Sequence, residues 1–345
     1  MILLQDLLVE AKDRGASDLL VMVGDSPAMR VAGSWIRFDL PRCTSEELNA
    51  SIRELLRPGG WEELLHKREL DFSCTFPKTG RVRCNVHFQR DHLAIVLRLV
   101  WPAIPDARVL GIPDHVIRCG DAHTGLVLVS GPTGSGKSTT LAAIVEHINK
   151  VRPAHIITIE DPIEFIYSNA KSIIEQREIG ADTPSWNTAL RTVLRQAPDV
   201  IVLGELRDLE SISIALTAAE TGHLVMASVH SATAAGAISR IVDVFPPVQT
   251  PQIRLQLSQT LRMVFAQRLV PGKKPETRAL LYEILINTPA VANLIRAGEI
   301  EQIPNSIVAG RDHGMISFLQ CSRELIAAGL LPPEQPPRGR NAAVA

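Results

Sequence analysis

Leu126-Val127-Leu128-Val129-Ser130 runs straight into Gly131-Pro132-Thr133-Gly134-Ser135-Gly136-Lys137-Ser138-Thr139. The apolar run reads as a buried strand, and Leu141-Ala142-Ala143-Ile144-Val145 beyond the turn reads as a helix leaving at about Lys137. The turn between them carries the full pattern G-x-x-x-x-G-K-[ST], the Walker A loop. Backbone N–H groups turned inward, together with a helix N-terminus, make a concave positive site for phosphate oxygens. Gly131, Gly134 and Gly136 let the backbone come close to those oxygens, where a Cβ would obstruct. Lys137 is placed to reach the β- and γ-phosphates and the Ser138 hydroxyl to hold Mg²⁺. Residues 131–139 are therefore expected to bind a nucleoside triphosphate, taken as ATP, with Mg²⁺.

Downstream of this loop the chain alternates strands and helices. Candidate strands at 126–130, 155–159, 200–203 and 224–229 imply a mostly parallel sheet covered on both faces. From about Gln252 onward the pattern reads as helical, with a short strand near 279–284. Upstream, Leu4, Leu7, Leu8 and Ala11 fall at the spacing of an amphipathic helix. Strands are expected at 18–23, 28–31 and 35–38, the last two as a hairpin about Ala32-Gly33-Ser34. Thr44-Ser45-Glu46-Glu47 offers a capping box for a helix through Leu56, ended by Pro58-Gly59-Gly60. Strands at 70–76, 81–89 and 93–99 complete a small α+β domain over residues 1–100. Pro102, Pro105, Gly111 and Pro113 mark 101–113 as an interdomain linker. The second domain covers 114–331, and the proline-rich residues 332–345 read as a disordered tail.

A chain of 345 residues suits two domains. A formal net charge of −1 gives no push toward nucleic acid or an anionic membrane, so no nucleic-acid partner is expected. The five cysteines form no C-x-x-C pair and read as reduced structural thiols of a cytosolic protein. No stretch approaches the roughly 18–20 apolar residues of a membrane span, so membrane contact is expected only through partners.

In open α/β sheets the ligand sits beyond the carboxyl ends of the strands. His155-Ile-Ile-Thr-Ile159 ends at Glu160-Asp161-Pro162-Ile163-Glu164, whose carboxylates can orient Mg²⁺ through water or polarise an attacking water. Val200-Ile-Val-Leu203 ends at Gly204-Glu205, making Glu205 the carboxylate that aligns water or metal. Asp199 lies at the far end of that strand, roughly 15 Å away. Arg207-Asp208 reads as a plain surface pair. His230, at the end of the 224–229 strand, is placed to contact a γ-phosphate. His223 begins the same strand, some 20 Å away, too far to share that site. Arg83, Arg90 and Arg98 on the last strands of the small domain, with Arg81 at the turn, are candidates for completing a neighbouring subunit's site in trans.

Taken in order, Ala16-Ser17-Asp18-Leu19, the loop at 131–139, ITIEDPIEF at 157–165, QRE at 176–178, LRQAPDVIVLGELRD at 194–208, ALTAAETGHLV at 215–225, Val244-Phe245-Pro246-Pro247, EILINTPAVANLIRAGEI at 283–300 and Gly314-Met315 resemble the secretion-type motor ATPases. The resemblance is to the twitching-motility branch that retracts type IV pili, the PilT/PilU family. It implies a PAS-like small domain, a RecA-like ATPase domain with a helical C-terminal part, and ATP bound between the two. It further implies a homo-oligomeric ring, usually a hexamer, that docks from the cytoplasm on an inner-membrane pilus platform protein, with a second paralogous retraction ATPase as a further partner. By matching motif, Glu164 would be the acidic-box catalytic glutamate, Glu205 the Walker B glutamate, His223 and His230 the histidine-box pair, and Arg83 and Arg98 the phosphate-contacting arginines. The histidine box here reads Ser228-Val229-His230-Ser231 where Thr-Leu-His-Thr is usual, which keeps the hydroxyls. In the Ala-Ile-Arg-Asn-Leu segment linked to retraction, Ala292 stands where the arginine belongs. The runs at 182–186 and 194–199 resemble PilU-like members, and 205–225 resembles PilT-like ones.

On that basis hydrolysis would switch the two domains about the linker and drive a platform protein. Four other classes fit a P-loop: an assembly or type II secretion motor, a DNA-translocating motor, a nucleotide-dependent scaffold and a small-molecule kinase, for which the sequence offers no identifiable substrate pocket. The first usually carries a four-cysteine zinc insertion, which has no counterpart here. The second would show DNA-stimulated hydrolysis with steep salt dependence, and the third little turnover.

Overall fold

The computed structural model describes residues 4–100, 104–274 and 277–332. The chain forms two compact units, one of the residues before Ile104 together with Pro162–Ile166, the other of Ile104–Asp161 and the residues from Tyr167 onward. Most of the tail and part of the linker expected from the prolines lie outside the described residues.

In the first unit, helix α1 (Leu4–Asp13) buries Leu4, Leu7, Leu8 and Ala11, the stripe that the spacing predicts. Strands β1 (Asp18–Met22), β2 (Ala28–Val31) and β3 (Ser34–Arg37) follow. Helix α2 (Ser45–Leu55) starts at the expected capping box. The Thr44 side chain accepts from the Glu47 N–H, and Glu47 accepts in return from the Thr44 N–H. The chain then turns at Gly59, in the left-handed region at φ +81°, directly into α3 (Gly60–Lys67). The sequence presents this segment only as a helix stop. Strands β4 (Glu69–Phe76), β5 (Gly80–Gln89) and β6 (His92–Leu99) complete an antiparallel sheet ordered β3-β2-β1-β6-β5-β4. Period-two alternation sends Leu19, Val21, Val82, Val86, Ile95 and Leu97 into the core beneath the helices. The opposite face carries Asp18, Arg98 and Arg83 in one row, since Asp18 pairs with Arg98 and Arg98 with Arg83 in register.

The second unit opens with the short α4 (Asp114–Ile117) and β7 (Gly125–Ser130). Helix α5 (Lys137–Val151), β8 (His155–Glu160), β9 (Ile173–Glu178), α6 (Trp186–Val193), β10 (Val200–Leu203), α7 (Leu209–Glu220), β11 (Leu224–Val229), α8 (Ala234–Asp243) and α9 (Thr250–Thr260) follow. The four expected strands of this unit all form. Its sheet runs β13-β12-β7-β11-β10-β8-β9, where β12 is Leu261–Pro271 and β13 is Arg278–Ile286. Every neighbouring pair is parallel except β12 with β13.

Both faces of this sheet are covered, as a parallel sheet requires. Leu126, Leu128, Ile201, Leu203, Val225 and Ala227 point into one core with α6 to α9. Val127, Val129, Val200, Val202, Leu224 and Met226 point into the other with α4 and α5. Each fully buried aliphatic side chain contributes about 1.5–3 kcal/mol to keeping the strands in place.

One expectation is corrected. Residues beyond Gln252 do not continue as helix around a short strand. They form α9 and then the long β12–β13 hairpin, and the helical part proper begins only with α10 (Pro289–Ala297), followed by α11 (Ile303–Ala309) and α12 (Phe318–Ala327). The edge strand β9 is likewise absent from the sequence reading. No helix among the described residues is long and apolar enough to cross a membrane.

Candidate active site

Strand order decides which side chains share the carboxyl edge. Strand β11 lies between β7 and β10, with Ser130 level with Val229, and Leu203 level with Ala227 and Ile159. Gly131, His230, Glu205 and Glu160 therefore emerge in that order along one edge. Neighbouring strands lie about 4.8 Å apart, so Glu205 is two spacings from the loop strand, about 10 Å, and Glu160 three, about 14 Å.

The loop has its expected left-handed turns, with Gly131 at φ 155°, Gly134 at 76° and Gly136 at 88°. Pro132, Thr133, Gly134 and Ser138 are exposed, Thr139 is half-buried, and Ser135 is buried. Lys137 opens α5 and its side chain turns back onto the loop, its Nζ donating to the carbonyls of Gly131 at 3.0 Å and Pro132 at 3.1 Å. The first N–H groups of α5 have no partner within the helix and face the loop, which suits an anion.

The glycines differ in their reasons. A Cβ on Gly134 would meet nothing within 4 Å, so this position serves the turn and open approach. A Cβ on Gly131 would lie 2.3 Å from the Gln267 carbonyl oxygen, and one on Gly136 would lie 3.3 Å from the Gln267 amide nitrogen. Packing against the Gln267 backbone thus demands glycine at Gly131, whereas at Gly136 the left-handed φ of 88° is the stronger reason.

Glu205 is held from three sides. Its Oε1 lies 3.3 Å from His230 Nε2, and its Oε2 accepts from Arg207 Nε at 2.8 Å. Its backbone is clamped by Ser228. The Ser228 hydroxyl donates to the Gly204 carbonyl, and the Ser228 carbonyl accepts from the Leu206 N–H at 3.0 Å. Gly204 in turn donates to the Ile159 carbonyl at 2.9 Å. Arg207 and Asp208 are not a pair with each other. Arg207 belongs to Glu205, whose hydrogen bond raises the guanidinium above its ordinary value, with the Asp161 charge adding to this. Asp208 caps α7, accepting from the Ser211 N–H at 2.8 Å.

Glu160 accepts from the Thr158 hydroxyl at 2.6 Å and the Gln176 amide at 3.1 Å, which ties it toward β9. Half-buried Tyr167 stands near it, its phenol raised well above the usual value by desolvation first and by the Glu160 and Glu146 charges next. His223 sits at the opposite end of β11 from His230, its Nδ1 3.0 Å from the Ala218 carbonyl. The strand separates the two by roughly 20 Å, so the histidine-box pair does not meet in this subunit. Asp199 is likewise at the far end, accepting from the His155 N–H.

In the first unit, Arg98 Nε donates to buried Asp18 at 2.8 Å, while the Arg98 side chain is largely exposed. Arg83 NH1 lies 3.6 Å from Glu164 Oε1. Sequence reasoning did not single out Ser228, Arg207 or Gln267 as parts of the site. The tandem hydroxyls about His230 were the one available hint.

A mostly parallel sheet, a Walker A loop at its carboxyl edge and a strand-end glutamate two strands away define a P-loop ATPase. Residues 114–326 match the type II/IV secretion system protein family, and the chain belongs to that family. It is 40% identical to the type IV pilus retraction ATPase PilT of Pseudomonas aeruginosa, over 94% of both chains. It is 36% identical to the type IV pilus ATPase PilU of the same organism, over 92% of this chain and 83% of that one. The crystal structure of the pilus retraction motor PilT with bound ADP superimposes with a TM-score of 0.91 at 40% identity, covering 97% of this chain and 96% of that one.

Proposed function

We propose that this protein is an ATP-driven motor that retracts type IV pili, working as a homo-oligomeric ring, a hexamer, in the cytoplasm. It docks on an inner-membrane platform protein through protein contacts and works beside a paralogous retraction ATPase. The observation that carries this proposal is likeness to a retraction motor along nearly the whole chain, small unit included.

In the site, residues 131–139 cradle the phosphates, Lys137 contacts the β- and γ-phosphates, and Glu205 aligns the attacking water. The exposed Ser138 hydroxyl in the first turn of α5 and the Glu205 carboxylate suit Mg²⁺, which when bound neutralises phosphate charge. Glu160, three strands from the loop and engaged by Thr158 and Gln176, is better suited to holding the β8–β9 edge. By family match Glu164 is the catalytic carboxylate and Arg83 and Arg98 are phosphate-binding arginines. Asp18 presents Arg98 by its Nε and leaves the outer nitrogens for an anion. His230, between the loop and Glu205, changes partner when the γ-phosphate leaves. The change passes to α8, which begins four residues on.

Deletion of the chromosomal gene tests the proposal. Cells without it are expected to be immotile and to carry excess surface pili. Bald cells would point to assembly instead, and unchanged piliation and twitching would overturn the pilus role.

A further inference from the structure

Gln267 lies on β12, is 1% exposed, and stands beside the point where β7 becomes the phosphate loop, since Ala266 pairs with Ser130. A buried amide left unpaired is costly, and here both ends are used. Its Nε2 donates to the Ser135 carbonyl at 2.6 Å, and its Oε1 accepts from the buried Thr140 hydroxyl at 2.8 Å. The amide has one workable orientation, because reversing it would set its oxygen against the Ser135 carbonyl. The backbone carbonyl of Gln267 closes on Gly131, and its side chain closes on Gly136. One residue from far along the chain thus touches the loop at both ends and the first turn of α5, with Lys137 and Ser138 between its two hydrogen-bonded partners.

We propose that Gln267 is a positioning residue for nucleotide binding: acting through Ser135 and Thr140, it holds the loop in the shape that receives phosphate, and touches no phosphate itself. This rests on 131–139 being the nucleotide loop. A loop fixed before binding spends less affinity on ordering itself. The consequence therefore falls on nucleotide affinity rather than on the chemical step.

The test uses the full chain, a fluorescent ADP analogue with Mg²⁺, and thermal melts to confirm folding. Gln267→Glu keeps the size but faces a carboxylate oxygen to the Ser135 carbonyl. Its dissociation constant is expected to rise about tenfold or more. KM for ATP should rise in step, with kcat at saturation within about threefold of the parent. Thr140→Val removes only the hydroxyl and should shift affinity the same way by a smaller factor. Lys137→Ala serves as the control for the loop itself. If Lys137→Ala loses binding while both other variants bind as the parent does, Gln267 has no such role and the loop assignment stands. If all three bind as the parent does, the loop assignment fails and the proposal with it. A Gln267→Glu protein that does not fold leaves the decision to Thr140→Val, where weakened binding supports the proposal and parent-like binding overturns it. A lowered melting point with unchanged affinity also overturns it.

Discussion

Ser228→Ala removes one oxygen atom and separates a packing role from a catalytic one. The Ser228 side chain is buried, and its hydroxyl donates to the carbonyl of the residue before Glu205. Loss of a neutral buried hydrogen bond costs about 1 kcal/mol, and the carbonyl left behind adds a further loss of about 1 kcal/mol. For a unit of roughly 200 residues, 2 kcal/mol lowers the melting point by about 4–8 °C. On the proposed role of Glu205, the effect on turnover comes through its carboxylate. With one of the two ties from Ser228 gone, the carboxylate is free to shift, and a displacement of about 1 Å costs on the order of 100-fold in rate. The expected result is a kcat lowered about 10- to 100-fold with KM nearly unchanged, because the phosphate loop is untouched. Ser228→Thr keeps the hydroxyl and should recover most of the rate. Phosphate release at saturating ATP measures both variants. Parent-like turnover in Ser228→Ala, with only the melting point lowered, would refute the role of Ser228 in placing Glu205.

Two other outcomes concern the fold around the site. Gly131→Ala would press a Cβ to 2.3 Å from the Gln267 carbonyl, whereas Gly134→Ala meets open space at φ +76°. Denaturant unfolding of the first should show a loss of about 3 kcal/mol, and of the second about 1 kcal/mol; equal losses would contradict the packing reason for Gly131. Burial raises the Glu283 carboxyl above the usual glutamate value, against the opposing hydrogen bonds of the Ala234 and Phe318 backbone and the charge of Arg268. The native state therefore holds this proton more tightly than the unfolded chain does. The stability it contributes is full below the unfolded pKa and is lost as pH rises through the folded one. Glu283→Gln keeps an acceptor for Ala234 and should melt about 2 °C above the parent at pH 7.5, with the gap narrowing toward pH 5. A gap that widens on acidification would contradict this.

The sequence made legible what is encoded locally. The Walker A loop announces itself by glycine spacing after an apolar run, and α2 by its capping box. Strands β7, β8, β10 and β11 show as short apolar segments between helical ones. Strand β12 did not, because Leu261 to Gln267 is buried on both faces for most of its length and so shows no alternation to separate it from helix. Strand β9 was hidden by its polar edge, Ile173-Ile174-Glu175-Gln176-Arg177-Glu178. In the candidate site, the strand ends place Glu205 and His230 at the carboxyl edge and Asp199 and His223 at the far edge, and the sheet register agrees. What holds Glu205 and the loop was out of reach. Ser228 meets Gly204 across 24 residues and Gln267 meets Ser135 across 132, contacts that only the strand order creates.

ATP cleavage at the carboxyl edge is tested most directly by phosphate release from the purified full chain with ATP and Mg²⁺, measured beside Glu205→Ala together with the ATP each retains. The expected result is steady turnover by the parent, and a variant that still binds ATP but releases phosphate about 100-fold more slowly or worse. Parent-like steady-state hydrolysis by Glu205→Ala would contradict it.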